Sequence, residues 1–326
     1  MAKQTVNRRQ AALLMGGGLV GVSWAHAALA AMGAPIEPAF ASRLSPLSAD
    51  AYIPPTSLSA VADIYRRMTV PIGVGGSGPF PFVVDTGANQ SVISQELVAQ
   101  LGLPVGADRP LNGVAGVQDA PTTVTDIRIG DHTESGVMLS ILPAAAIGGE
   151  GMLGLDRVEG RELTLDFRYR TLRLTMTQHL SRDPSDVAIK AHRRSGQLTL
   201  VDADLAGIPI VAFLDSGAQN TIGNKALRSM ADARLPTSHW VETPIVSATG
   251  QTIMAEMANL PNLRIGGLKL PTWPVAFADL HTFRMWDMLD TPAILVGVDV
   301  LSRFESVCLD FARNEVRFRP PGQAIW

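Results

Sequence analysis

The chain has one cysteine, Cys308, among 326 residues. That excludes an intrachain disulfide. Cys308 sits in the apolar run Val307-Cys308-Leu309, where it reads as a small buried hydrophobe rather than a reactive thiol. The six histidines lack the spacing that metal ligation demands, so no metal site and no cofactor are expected. Charge is sparse, with Asp, Glu, Lys and Arg at 17% and a formal net charge of −3. Lys3, Arg8 and Arg9 are three positive charges in a first stretch of 30 residues that holds no acid, which leaves the rest of the chain at −6. An acidic remainder argues against nucleic acid as a partner, because that class of ligand needs a basic face. Beyond the N-terminus no uninterrupted apolar run reaches the length of a membrane helix. Against these absences stand 46% hydrophobic residues, 30 Gly and 22 Pro. That is enough apolar material for one or two cores, in the composition of a strand-and-turn protein.

The N-terminus carries a twin arginine, Arg8-Arg9, ahead of a short Gly- and Ala-rich apolar stretch over residues 11–24. Small-residue cleavage candidates follow at Ala25-His26-Ala27 and Ala28-Leu29-Ala30. Residues 1–30 are read as a twin-arginine export signal, which implies a periplasmic or secreted protein with no stable membrane insertion once the signal is removed. The competing reading is an uncleaved anchor helix. Residues 31–64, rich in Ala, Pro and Ser, are read as a tether or irregular arm.

Beyond the arm the chain repeats itself. Phe82-Val83-Val84-Asp85-Thr86-Gly87-Ala88 recurs as Ala212-Phe213-Leu214-Asp215-Ser216-Gly217-Ala218, with the aspartates 130 residues apart. Six residues beyond each aspartate is a hydroxyl, Ser91 or Thr221. A helix-like stretch then ends at Leu103-Pro104 or Leu235-Pro236. Later come Met152-Leu153-Gly154-Leu155-Asp156 and Leu295-Val296-Gly297-Val298-Asp299, and after these Leu165-Asp166-Phe167 and Leu309-Asp310-Phe311. Each Leu-Asp-Phe opens an alternating hairpin pattern. One unit therefore occurs twice, over residues 65–180 and 191–320, with a polar linker at 181–190. This is duplication rather than a solenoid array. Short helices are expected near 94–101 and 223–231.

These residues resemble the retropepsin-like branch of the aspartic peptidases, whose half-unit reads hydrophobic-hydrophobic-Asp-(Thr/Ser)-Gly-Ala, then a flap hairpin, then hydrophobic-hydrophobic-Gly. The resemblance covers roughly residues 65–320. It implies an all-β, bilobal, pseudo-twofold fold built from two β-barrel halves with short helices. It also implies a monomer, because both units are in one chain. By resemblance, Thr86 and Ser216 donate hydroxyl hydrogen bonds to the opposite loop, and Gly154 and Gly297 pack beneath the aspartate loops.

Paired carboxylates dictate the chemistry. Two aspartates in hydrogen-bonding contact cannot both ionise, so Asp85 and Asp215 are expected to share one proton and to activate a water against the peptide bonds of a polypeptide substrate. Gly87 and Gly217 let the two loops approach. The alanines next in sequence, Ala88 and Ala218, offer no side-chain hydrogen bond to lower a carboxyl pKa, which predicts a mildly acidic to neutral optimum. Flap candidates are Val114, Ala115 and Gly116 in the first half and Ala248, Thr249 and Gly250 in the second. For the second hairpin an ordinary surface turn is an equal reading. Residues 273–289, rich in large apolar groups, have no equal counterpart in the first half and suit either a side-chain pocket or the packing of an inserted helix. Two other functions stay open. One is a catalytically silent binding module of the same fold. The other is a glycosidase, whose carboxyls would stand about 5 Å or more apart.

Overall fold

The computed structural model describes residues 56–63, 66–157, 161–176, 183–194, 197–235, 240–247 and 250–322. The chain divides into Met1–Ala51 and Tyr52–Trp326, and every described residue belongs to the second unit. The export-signal reading of 1–30, most of the 31–64 arm, and residues 181–182 of the linker lie outside the described residues.

In the first half the elements are β1 (Thr56–Ser59), β2 (Val61–Ala62), β3 (Met68–Val74), β4 (Ser77–Val84), β5 (Val92–Ser94), α1 (Gln95–Leu101), β6 (Gly106–Gly113), β7 (Gly116–Ile129), β8 (His132–Leu142), α2 (Ala144–Ile147), β9 (Gly151–Leu153), β10 (Arg161–Asp166) and β11 (Thr171–Met176). In the second half they are β12 (Val187–Arg194), β13 (Gln197–Leu205), β14 (Ile208–Leu214), β15 (Ile222–Gly223), α3 (Lys225–Arg234), β16 (Val241–Val246), β17 (Thr252–Ile265), β18 (Leu268–Phe277), α4 (His281–Met285), β19 (Ala293–Val296), α5 (Val298–Leu301), β20 (Ser306–Asp310) and β21 (Glu315–Arg319). From β3 onward the two halves correspond strand for strand. The fold is all-β, in two halves related by a pseudo-twofold.

Each half closes a ring of six strands. In the first the order is β3-β4-β9-β5-β8-β7, with β7 returning to β3 through Ile72↔Ile129 and Val74↔Ile127. In the second it is β13-β14-β19-β15-β18-β17, closed by Ala203↔Ile265 and Leu205↔Leu263. The parallel pairs fall at equivalent places: β4 beside β9, with Val84↔Leu153, and β14 beside β19, with Leu214↔Val296. A third, antiparallel sheet of order β1-β11-β10-β20-β21-β12 joins the halves through β10 and β20, where Leu163 faces Leu309 and Leu165 faces Val307. β1 and β2 fall within the stretch read as an arm, and β12 begins within the stretch read as a linker. β12 pairs first with β21 and then with β13, just as β1 pairs with β11 and β2 with β3.

Sequence chemistry accounts for the local forms. In β3, Val70, Ile72 and Val74 point to the core in the period-two pattern of a strand with one buried face. In β4 the run Phe82-Val83-Val84 is buried on both sides because the strand lies inside its ring. Helix α1 starts at Ser94, whose Oγ accepts the Leu97 N–H at 3.0 Å, and stops at Gly102 in the left-handed region. Helix α3 starts at Asn224, whose Oδ1 accepts the Leu227 N–H at 2.8 Å. One continuous apolar core runs from Val70 and Ile72 through Leu163, Leu165 and Leu309 to Leu263 and Ile265, so both halves and the joining sheet share it. A smaller cluster, including Val92, Leu111 and Met152, lies under the β6–β7 hairpin. Its larger counterpart, including Ile222, Phe283 and Trp286, lies under β16–β17. Phe283 and Trp286 are buried there, with Trp286 stacked on Phe213 at 4.1 Å. The α4 segment is thus an element of that cluster. Among the described residues no helix is long and apolar enough to cross a membrane.

Candidate active site

Strands β4 and β14 run out at Asp85 and Asp215, where each aspartate still makes the last ladder bond: Asp85 N–H to Leu153 O and Asp215 N–H to Val296 O, both 3.0 Å. The chain then turns over Thr86-Gly87 and Ser216-Gly217. Within each turn the aspartate Oδ1 accepts the N–H two residues on, from Gly87 at 2.7 Å and from Gly217 at 2.9 Å. The Ala218 N–H adds a bond to Asp215 Oδ1 at 3.0 Å.

The two turns interlock. Thr86 Oγ1 donates to Leu214 O at 3.0 Å and accepts the Ser216 N–H at 2.9 Å. Ser216 Oγ donates to Val84 O at 2.7 Å and accepts the Thr86 N–H at 3.1 Å. Four buried hydrogen bonds thereby tie each loop to the strand that carries the other aspartate. The approach is so close that a Cβ on Gly87 would overlap the Asp215 carboxyl group, and a Cβ on Gly217 would overlap that of Asp85. The absence of a side chain at these glycines is a steric requirement of the pairing.

Beneath the turns lies a second repeated device. Ser91 Oγ donates to Asp156 at 2.8 Å and accepts the Gly154 N–H at 3.0 Å. Thr221 Oγ1 donates to Asp299 at 2.8 Å and accepts the Gly297 N–H at 3.1 Å. A Cβ on Gly154 would lie 2.9 Å from Ala88 O, and one on Gly297 2.6 Å from the Asn220 carbonyl carbon. Gly154 and Gly297 therefore let β9 and β19 support the loops from directly below. The hydroxyl six residues past each aspartate belongs to this support.

Asp85 and Asp215 hydrogen-bond to each other, and their residues are only 9% and 8% exposed. Burial pushes both carboxyls above the ordinary range. The hydrogen bond from Asp215, the Gly87 and Ala88 N–H groups and the nearby Arg67 guanidinium pull Asp85 back. Asp215 is held well above the ordinary range by burial first and then by the Asp85 charge beside it. The pair titrates as a unit, with Asp215 raised further above the ordinary range than Asp85.

The flap candidates lie on hairpins. In the β6–β7 hairpin, Val114 and Ala115 form the turn between Gly113 and Gly116. Its tip crosses to the other half: Val114 packs against the cluster containing Phe283 and Trp286, and its carbonyl accepts the His281 N–H at 2.7 Å. The β16–β17 hairpin carries Gly250, whose N–H donates to Ser247 O at 2.9 Å; a Cβ there would stand 3.8 Å from the Ala146 Cβ of α2. Ala248 and Thr249 lie outside the described residues. Each hairpin tip thus reaches the helix of the opposite half, α4 or α2. The apolar stretch 273–289 marks α4 as an inserted helix, but neither docking contact carries a local sequence signal, because it joins residues far apart in the chain. Among the described residues no group of three or more His, Cys, Asp or Glu is arranged to hold a metal ion.

Comparison with curated proteins returned no match. A family model described as aspartyl protease matches twice, over residues 70–157 and 201–300, which together exceed half of the chain. Each match contains one aspartate turn, one hairpin and one glycine motif. With both copies present and their turns interlocked, the chain belongs to the aspartyl protease family.

Proposed function

We propose that the protein is an aspartic endopeptidase in which Asp85 and Asp215 together hydrolyse the peptide bonds of polypeptides. The observation that carries this reading is the reciprocal Thr86/Ser216 hydrogen bonding, which holds two carboxyls in mutual contact. Direct carboxyl contact also favours peptide over glycoside hydrolysis, which needs carboxyls about 5 Å or more apart.

In this mechanism ionised Asp85 takes a proton from a water as that water's oxygen attacks the scissile carbonyl carbon. Protonated Asp215 gives its proton to the carbonyl oxygen, and a tetrahedral diol results. Asp85 then passes its proton to the amide nitrogen, a diol hydroxyl returns one to Asp215, and the C–N bond breaks to acid and amine. The dyad is left as it began, with no covalent intermediate. The hairpin tips Val114–Gly116 and Gly250 cover the bound chain, and the Gly154 and Gly297 supports keep the loops from spreading. The enzyme acts as a monomer after twin-arginine export, in the periplasm or beyond, on exported or membrane proteins.

The test is incubation of the exported form with a diverse peptide library across about pH 3 to 8. Wild type should cleave, and Asp85→Asn and Asp215→Asn should each abolish cleavage. Undiminished cleavage in either variant would refute the dyad. Peptide binding without turnover in wild type would instead favour a silent binding module. With burial raising both carboxyls and no side-chain donor at Ala88 or Ala218, the rate should peak at mildly acidic to neutral pH. A maximum below about pH 3 would contradict that.

A further inference from the structure

Beside the second aspartate loop is a cavity of about 440 Å³ whose walls come from both halves. Arg66, ahead of β3, forms one side. Gln219, Asn220, Trp273, Asp299 and Arg303 of the second half contribute the rest. Two arginines thus line a space with a single acidic residue, Asp299, whose carboxylate is already satisfied. Asp299 accepts the Thr221 hydroxyl at 2.8 Å, the Thr221 N–H at 3.2 Å, the Trp273 Nε1–H at 3.1 Å and the Val300 N–H at 2.9 Å. Its donors are all neutral. Among the described residues neither Arg66 nor Arg303 enters an ion pair. Burial also raises the Asp299 pKa above the ordinary carboxylate value.

The Arg303 side chain and the Arg66 backbone are held in position. The Arg303 guanidinium lies over the Trp273 ring, 5.1 Å from its centroid, which leaves its N–H edges available. Arg66 has φ 64°, a left-handed backbone uncommon outside glycine. It is fixed by its N–H to Asp63 O at 3.0 Å and by the buried Arg67–Asp63 ion pair at 2.7 Å next to it. Arg66 therefore lines the cavity from a backbone position tied to Asp63.

The pseudo-twofold supplies an internal comparison. The counterpart of Asp299 is Asp156, and Asp156 is ion-paired to Arg157 at 2.9 Å, while Arg157 also holds Glu134 at 2.6 Å. At that end the positive charge is neutralised within the protein. At the Asp299 end, among the described residues, it is not.

Gln219 and Asn220 are exposed and lie four and five residues past Asp215 on the same loop, so the cavity adjoins the path of a chain bound across the dyad. We propose that this cavity is a subsite for a carboxylate of the substrate polypeptide, within about four residues of the scissile bond and on one side of it only. The carboxylate comes from an Asp or Glu side chain or from the substrate's own C-terminus. Arg66 and Arg303 bind it by charge-assisted hydrogen bonds, with the Gln219 and Asn220 amides beside them. The inference rests on the endopeptidase reading and deepens it.

The experiment compares fluorogenic peptides differing only by Glu against Gln at each of the four positions either side of the cleaved bond, and peptides ending in a free carboxylate against an amide. Cleavage and fluorescence-anisotropy binding are measured on the same chain. Glu should be favoured over Gln about tenfold at a position on one side, less so as salt is added. Arg66→Asn, which tolerates the left-handed backbone, and Arg303→Gln should each bring the ratio towards one. Arg66→Glu with Arg303→Glu should turn the preference to Lys. Arg173→Gln, exposed on β11, should keep the wild-type ratio. A preference for the free carboxylate alone would assign the subsite to the chain terminus. Equal handling of acid and amide at every position, in cleavage and in binding, would overturn the subsite while leaving the endopeptidase reading intact. Failure to cleave both the Glu and the Gln peptides would count against the endopeptidase reading, and the acid-to-amide binding ratio would still decide the subsite.

Discussion

Replacing Thr86 by Val keeps the shape of the side chain and removes only its hydroxyl. That hydroxyl serves two backbone groups of the opposite loop, the Leu214 carbonyl at 3.0 Å and the Ser216 N–H at 2.9 Å. Thr86 and Ser216 are 2% and 1% exposed, so water does not replace the lost partner. Each orphaned buried group costs about 1 to 3 kcal/mol, which makes Thr86→Val worth about 2 to 6 kcal/mol of unfolding free energy. Thr86→Ser keeps the hydroxyl and should cost under about 1 kcal/mol, the burial of one methyl. Urea denaturation monitored by tryptophan fluorescence gives both numbers; performing it in an Asp215→Asn background prevents self-cleavage. In the active background kcat should fall about 100-fold, because the aspartate loops lose their mutual register. Equal midpoints for Thr86→Val and Thr86→Ser would refute the reasoning, since the hydroxyl would then hold nothing that the methyl and solvent do not.

Gly217→Ala places a Cβ inside the Asp85 carboxyl group and should reduce peptide cleavage by about 100-fold or more, with the folded chain retained on gel filtration. Because folding raises the carboxyl pKa of both aspartates, their contribution favours the folded state below the ordinary carboxylate range and is lost as pH rises through the raised values. The fall in midpoint between mildly acidic and alkaline pH should flatten in Asp215→Asn. Arg317→Met removes the guanidinium that pairs with Glu162 at 2.6 Å and Asp310 at 3.4 Å inside the joining sheet. Two buried carboxylates are left without it, at a cost of about 3 to 5 kcal/mol in urea unfolding, and adding Glu162→Gln should recover part of the loss.

The parts of the site that could be read from the sequence are those written into short segments that occur twice. Asp85 and Asp215, their hydroxyl and glycine neighbours, and the later glycines each stand a fixed few residues from a strand end, so the motif itself implies the turn. The hydroxyls Ser91 and Thr221 were visible as a repeat, but their bonds to Asp156 and Asp299 were not, because those partners lie 65 and 78 residues away. The same limit hid β1 and β2. Residues 56–62 look irregular alone and become strands only because β11 and β3 offer them ladder partners. Arg66 carried no signal at all: its cavity is completed by residues of the other half, and nothing repeats around it. Asp166 and Asp310 in the Leu-Asp-Phe segments read as hairpin openings, and their carboxylates do close the turns, accepting the N–H three residues on from Tyr169 at 2.7 Å and Arg313 at 2.9 Å.

The salt bridge of Asp156 to Arg157, with no equivalent at Asp299 among the described residues, bears on how an endopeptidase of this form would tell one end of a polypeptide from the other. A symmetric homodimer shows the same face to both directions, since every replacement appears twice. A polypeptide has polarity, and a symmetric cleft is indifferent to it. Carrying both copies in one gene frees each to drift alone, and a single unmatched charge is enough to give the cleft a head and a tail.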